Sequence, residues 1–286
     1  MPVFTGGSGR SGSTIVGHVL DQHPDLTLTR PMEVRFISGN DGVLDALAVA
    51  RRHPSRGLSA ARLAAERIRT RWFRRAPDVG LHTSMTEGQL EAWVGEYLAS
   101  FDADALRAST TLVQRVMGSI CDHIGAQRWV DTTPANARKG DRLSWLYPEA
   151  RVIAVVRDGR DVAASFVTQS FGPDDVFTAL DQWGQRMERI QRSLTRAPAG
   201  TMMRVDLFDL VIDRREQTLT DMLGFVGVPD SDALRSWFDA RVTAEGAHGG
   251  RWRTQFDEQT VREIDARYSD ICDLLRESGV VIPHGE

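Results

Sequence analysis

The chain has 286 residues, 41% of them hydrophobic and 26% charged, which is enough apolar content to bury a core and excludes a disordered chain. A formal charge of −4 excludes a protein held on nucleic acid by a generally basic surface. Cys121 and Cys272 alone make neither a disulfide framework nor a CxxC metal pair. No run approaches the length of a membrane helix and no apolar leader precedes the first strand, so the cytoplasm is the expected compartment.

Residues 2–5 predict a short strand that ends in Gly6-Gly7-Ser8-Gly9. From Ser13 a helix is expected, with Ile15, Val16, Val19 and Leu20 at helical spacing and a stop near His23-Pro24. Leu26-Thr27-Leu28 alternates like a second short strand, closed by Pro31. Residues 40–127 read as mostly helical and polar, broken at Pro54, Pro77 and Gly88. Within them Leu90, Trp93, Val94, Tyr97, Leu98 and Phe101 form one amphipathic face. This block is expected to be a helical insertion or cap in a single domain spanning 1–286.

The alternation then resumes. Residues 128–131 predict a strand, and Arg151–Val156 is the continuous apolar run of a buried parallel strand. A helix is expected from Gly159. Another is expected over 174–196, with Val176, Phe177, Leu180, Trp183, Met187, Ile190 and Leu194 on one face. Residues 201–206 predict a strand, 216–225 a helix closed before Gly227-Val228-Pro229, and 257–277 the last helix. Strands alternating with helices predict an α/β fold: a P-loop-like parallel sheet covered by helices, with the cap at about 40–127.

Gly7-Ser8-Gly9-Arg10-Ser11-Gly12-Ser13-Thr14 joins the first strand to the first helix. Successive backbone N–H groups and a helix N-terminus make such a turn an anion site. Three ligands fit. Gly7-x-Gly9-x-x-Gly12, with Glu33 available for a ribose, matches the dinucleotide fingerprint of an NAD(P)-dependent oxidoreductase. Gly7-x4-Gly12 followed by Thr14 matches the P-loop of a small-molecule kinase, except that Ser13 stands where that loop needs Lys. The third reading is a cradle for a phosphate with no γ-phosphate beyond it, with the cation moved forward to Arg10. A serine-nucleophile elbow is excluded, because Gly9-Arg10-Ser11-Gly12-Ser13 lacks the final Gly of GxSxG.

The run after the fourth strand separates these readings. Arg157 ends Arg151–Val156, where open α/β sheets place ligands, and Ser165 lies eight positions on. A guanidinium there offers forked donors to a phosphate and a hydroxyl adds one more. The competing reading is an Arg157–Asp161 pair on a helix face, with Arg160 exposed.

Arg10-Ser11-Gly12-Ser13-Thr14, together with Arg157 and Ser165, resembles the two cofactor motifs of sulfotransferases that use 3′-phosphoadenylyl sulfate (PAPS). His248-Gly249-Gly250-Arg251-Trp252-Arg253 is similar to their C-terminal cofactor loop. Phe208-Asp209-Leu210-Val211 and the stretch to Pro229 look like structural parts of their C-terminal half. Leu20-Asp21-Gln22-His23-Pro24 and Glu33-Val34-Arg35 are similar to the bacterial and tyrosylprotein-type branch. The resemblance covers residues 2–37 and about 129–260, and leaves out the helical block.

It implies transfer of a sulfuryl group from PAPS to a hydroxyl of a small molecule or natural product. Glu33 would be the base, with His18 and His23 as weaker candidates. Arg10 would meet the charge on the bridging oxygen. Gly9, Ser11, Gly12, Ser13 and Thr14 would hold the 5′-phosphate, and Arg157, Ser165, Gly250, Arg251 and Trp252 the 3′-phosphate. No metal is expected, since the His, Asp and Glu show no ligand spacing. One departure stands out. The branch often has Asp-Lys-Thr-Pro near the site, and this chain has Asp131-Thr132-Thr133-Pro134, so Arg10 alone or a second arginine such as Arg35 would supply the missing charge.

Residues 51–75 hold nine Arg against one Glu. They read either as a solvated helix pairing with acids elsewhere or as a docking face for an anionic acceptor, such as a phosphorylated metabolite, an acidic carrier protein or a lipid surface.

Overall fold

The computed structural model describes residues 1–284. Five strands form one parallel sheet: β1 (Val3–Gly7), β2 (Thr27–Leu28), β3 (Trp129–Asp131), β4 (Arg151–Val156) and β5 (Met202–Asp206). Their spatial order is β2-β3-β1-β4-β5. β1 is central, with Val3 in register with Val130 on one side and Arg151 on the other. A parallel sheet needs both faces covered, and each crossover here runs through helices that supply the cover.

β1 runs two residues further than residues 2–5. The reason lies in packing. The 3-10 turn Pro134–Lys139 crosses Gly6 so closely that a Cβ there would lie 2.5 Å from the Ala137 nitrogen. Only glycine lets the two backbones meet, and the strand continues beneath the turn.

On one face α1 (Ser13–Leu20) packs with α9 (Arg215–Val226) and α10 (Asp232–Arg241) against Val3, Val130, Ile153 and Val205. The other face carries α7 (Gly159–Phe166), α8 (Val176–Arg196) and α13 (Glu258–Glu277). Val176, Leu180, Trp183, Met187 and Ile190 of α8 are buried at the expected helical spacing, and Phe177 and Leu194 are half-buried beside them.

The 40–127 block is helical as expected. It holds α2 (Val43–Arg52), α3 (Pro54–Arg67), α4 (Glu87–Ser100) and α5 (Ala105–Ile124), with a π-helical turn Ile68–Trp72 after α3. Its apolar faces share one core with Phe4 and Val152 of the sheet. Thr86 closes α4 with a capping box on Gln89. The short helices are α6 (Gly140–Leu146), α11 (Ala244–Ala247) and α12 (Trp252–Gln255). No helix among the described residues is long and apolar enough to cross a membrane.

Candidate active site

In a parallel sheet all strands end on the same edge, and here a cleft of about 860 Å³ opens over that edge. The glycine turn after β1 forms its floor through Ser8, Gly9, Arg10, Gly12, Ser13 and Thr14. Gly12 caps α1 at φ 95, and a Cβ there would lie 2.8 Å from Leu207. The positive φ calls for glycine, and a side chain there would also have to displace Leu207. α1 opens on the cleft with no acid and no side-chain cap in its first turn, so its N–H groups stay available to an anion. Arg10 itself is left-handed at φ 55, a conformation costing roughly 1–2 kcal/mol in a non-glycine residue. It directs the guanidinium toward α7, where Nε donates to Ser165 Oγ at 3.0 Å. The two motifs, 155 residues apart in sequence, thus touch.

Arg157 and Arg251 line the same cleft. The i, i+4 pair exists: Arg157 Nη2 lies 3.4 Å from Asp161 Oδ2, and it also donates to the Ala247 and His248 carbonyls at 2.7 and 3.0 Å. Those bonds all leave from Nη2, so the pair and a place in the cleft are compatible. Arg160 departs from the expected exposed position. It is largely buried, forked onto Asp158 and stacked between Trp252 and Tyr268.

Three of the cofactor-binding candidates lie outside the cleft lining. Ser11 is buried under the turn, and its Oγ has no hydrogen-bond partner. Trp252 is 3% exposed, packed in the core beneath Arg160 and Arg253. Gly250 donates its N–H to Asp161 Oδ2 at 3.2 Å. Of the segment His248 to Arg253, His248 and Arg251 face the cleft, while Gly250 and Trp252 hold it against α7.

Glu33 and Arg35 enter from the segment after β2. This arm is fixed from below. Val34 N donates to Asp131 Oδ1 at 2.9 Å, Arg35 N to Thr133 Oγ1 at 3.2 Å, and Arg75 Nη1 to the Glu33 carbonyl at 3.0 Å. Asp131 also receives Asn136 Nδ2 at 2.8 Å and both donors of Thr133. Burial pushes its carboxyl up to about 6, with these hydrogen bonds pulling the other way. Asp131→Ala is expected to strand buried N–H groups and lower the unfolding free energy by about 2–4 kcal/mol. Urea unfolding measures this, and an unchanged midpoint would contradict the role given to Asp131.

The Arg35 guanidinium binds Glu33 Oε2, with Nε at 2.7 Å. His18 also reaches the cleft. His23 is buried, and its Nδ1 accepts from the Asp25 N–H, which suits a helix stop and keeps it from the site. Thr132, in the position of the missing lysine, turns away: its Oγ1 donates to the Met32 carbonyl and its methyl packs by Gly17.

Besides Arg241 at the end of α10, two further arginines reach the site without any signal in the sequence. Arg138, in the turn after β3, and Arg186, on α8, both line the cleft. Neither belongs to a motif, and only folding brings them there. In all, eight arginines and three acids line the cleft of a chain whose net charge is −4. Most of the basic 51–75 segment stays outside. Arg69 forks onto Glu91, Arg51 stacks on Trp145, and Arg52, Arg56, Arg62 and Arg74 are exposed, while Arg71 reaches the cleft mouth.

The sequence model of the sulfotransferase family matches residues 2–232. The chain belongs to the sulfotransferase family. The match runs through the helical block that the motif resemblance left out, and stops before the segment around Arg251. Two solved structures share the fold over almost their whole length. The sulfotransferase domain from the curacin biosynthetic pathway has a TM-score of 0.55 at 16% identity, covering 99% of each chain. The sulfotransferase domain from the Synechococcus PCC 7002 olefin synthase has a TM-score of 0.50 at 19% identity, covering 99% of this chain and 96% of that one. No curated protein matches the sequence. This sulfotransferase is therefore an enzyme of sulfuryl transfer, and the oxidoreductase and kinase readings of the glycine turn fall. Glu33 is engaged by Arg35, and Ser13 stands at the mouth of α1 where a P-loop needs lysine.

Proposed function

We propose that this sulfotransferase moves a sulfuryl group from PAPS to a hydroxyl of a small-molecule acceptor, giving PAP (adenosine 3′,5′-bisphosphate) and a sulfate ester. The observation that carries this is the 3.0 Å contact between Arg10 and Ser165, which joins the turn after β1 to the element after β4 in one cleft. A nucleotide with phosphates at both ends of its ribose needs two such anion sites side by side. The donor set fits that ligand. The α1 N-terminus, Ser13 and Thr14 suit the 5′-phosphate, and Arg157, Ser165 and Arg251 suit the 3′-phosphate.

In the transfer, Glu33 takes the proton from the acceptor oxygen as that oxygen forms its bond to sulfur. The bond between sulfur and the bridging oxygen breaks, and its electron pair stays on the 5′-phosphate of PAP. Arg10 meets that developing charge. Positioning and electrostatics do the rest, as in phosphoryl transfer.

Thermal shift with PAP, ATP, NAD and NADP tests the donor. PAP is expected to stabilise most, by about 2.7 kcal/mol at a hundredfold excess over its Kd. Arg157→Ala is expected to weaken PAP about 10–100-fold, the worth of charge-assisted hydrogen bonds to one phosphate. Equal stabilisation by all four nucleotides would refute the assignment.

A further inference from the structure

Between the cap and α8 the cleft holds more positive charge than the donor needs. Arg35, Arg71, Arg138 and Arg186 line this part, with Glu33 and Asp41 as the acids. Glu33 is taken by Arg35, and Asp41 pairs at 3.3 Å with Arg67, which lies outside the lining. Among the described residues no carboxylate pairs with Arg71, Arg138 or Arg186.

Arg138 and Arg186 sit close to the glycine turn. Arg138 Nη1 reaches the Gly7 carbonyl at 3.3 Å. Arg186 Nη1 donates to the Ser8 carbonyl at 2.7 Å and Nη2 to Gln182 Oε1 at 2.9 Å, and its guanidinium lies 4.8 Å over the Phe166 ring. Among the described residues the acid that acts on Arg138 is Asp45, which Lys139 already holds at 2.7 Å and Arg142 at 3.5 Å. Burial, with repulsion from Arg186 and Arg189, pushes Arg138 down to about 10. Half-buried like charges without counter-ions are costly, and an anion arriving in the cleft relieves that cost.

We propose that the acceptor carries an anionic group, a carboxylate or a phosphate monoester, and that Arg138 and Arg186 grip it between the cap and the glycine turn. Arg71 at the mouth would draw such a molecule in. This rests on the donor reading above, which assigns Arg10, Arg157 and Arg251 to PAP and leaves these three cations without a role.

The test uses the full chain saturated with PAP, so that the donor site is filled, and titrates inorganic phosphate and acetate by calorimetry. Phosphate or acetate is expected to bind the PAP-saturated protein. Arg138→Gln and Arg186→Gln are each expected to weaken that binding about tenfold or more, and in Arg138→Gln PAP affinity is expected to stay within about twofold. Arg138→Lys is expected to recover part of the loss. Preference for phosphate would favour a phosphorylated acceptor, and preference for acetate a carboxylated one. Arg186 supports the turn, so the deciding variant is Arg138→Gln, whose contact with the turn is the longer. No anion binding to the PAP-saturated wild type, or binding that Arg138→Gln leaves unchanged, would overturn the proposal. Failure of PAP to bind the wild type would instead overturn the donor reading. The anion titration then stands on the comparison of Arg138→Gln with wild type, since the turn after β1 is intact in both and the loss on substitution reports the site between cap and α8.

Discussion

Arg10→Ala is expected to lower kcat by about 10²–10³-fold, the usual cost of removing one group that stabilises a developing oxyanion. The geometry makes Arg10 hard to replace. Its Nε is held by Ser165 and its backbone by a left-handed turn between Gly9 and Gly12, so the rest of the guanidinium is aimed with little freedom. A group fixed before the reaction adds stabilisation in the transition state without a reorganisation cost. PAP affinity is expected to fall less than kcat, because the charge on the bridging oxygen grows as the bond breaks. Arg10→Lys keeps a charge but cannot hold the planar fork, and should fall between the two. Initial rates with PAPS and a saturating acceptor measure the effect. A kcat in Arg10→Ala close to wild type would remove Arg10 from the chemistry.

Glu33→Gln is expected to cost about 10²–10⁴ in kcat, the range for losing a positioned general base. Gln retains an oxygen for the Arg35 guanidinium and leaves the bonds at the Glu33 and Val34 backbone in place, so the arm should keep its position. The decisive measurement is the dependence on the acceptor. An alcohol needs its proton removed, whereas a phenol already ionised at the assay pH does not. The loss should be large for the first and small for the second. Equal losses for both would show that Glu33 places the acceptor or holds Arg35 and takes no proton.

Much of this site is legible in the chain itself. Arg10, Ser13, Thr14, Arg157 and Ser165, which line the cleft, are legible as candidates because they fall in runs that resemble the two PAPS motifs and follow directly on strand ends. Glu33 is a candidate by its place after β2 and by the Glu-x-Arg pair of the branch it resembles. Trp252 marks the limit of such runs, since its indole is buried and outside the cleft lining. A Gly-Arg-Trp run says that a tight segment is present, but not which of its side chains faces the ligand. Here Arg160 draws the indole inward, and the stack of Trp252, Arg160 and Tyr268 ties the segment to α7 and α13. Helical spacing places Arg160 in solvent because spacing alone cannot show that Asp265 of α13 waits above it.

Arg138 and Arg186 are the opposite case. They lie 48 residues apart in sequence, one in a 3-10 turn and one in the middle of an amphipathic helix, and neither position carries a local signal. The same holds for the basic 51–75 segment. Its composition suggests one face, whereas folding scatters it onto Glu91, Trp145, the Glu33 carbonyl and solvent.

Read alone, the sequence determined the order of strands and helices, the glycine turn after β1 and the element that faces it, since period, glycine placement and strand-end position are local properties of the chain. The tertiary structure alone decided which arginines face the cleft without a counter-ion, and which side of the C-terminal segment does. Charge balance inside a cleft depends on every group within a few ångströms, and those groups come from parts of the chain that spacing cannot relate.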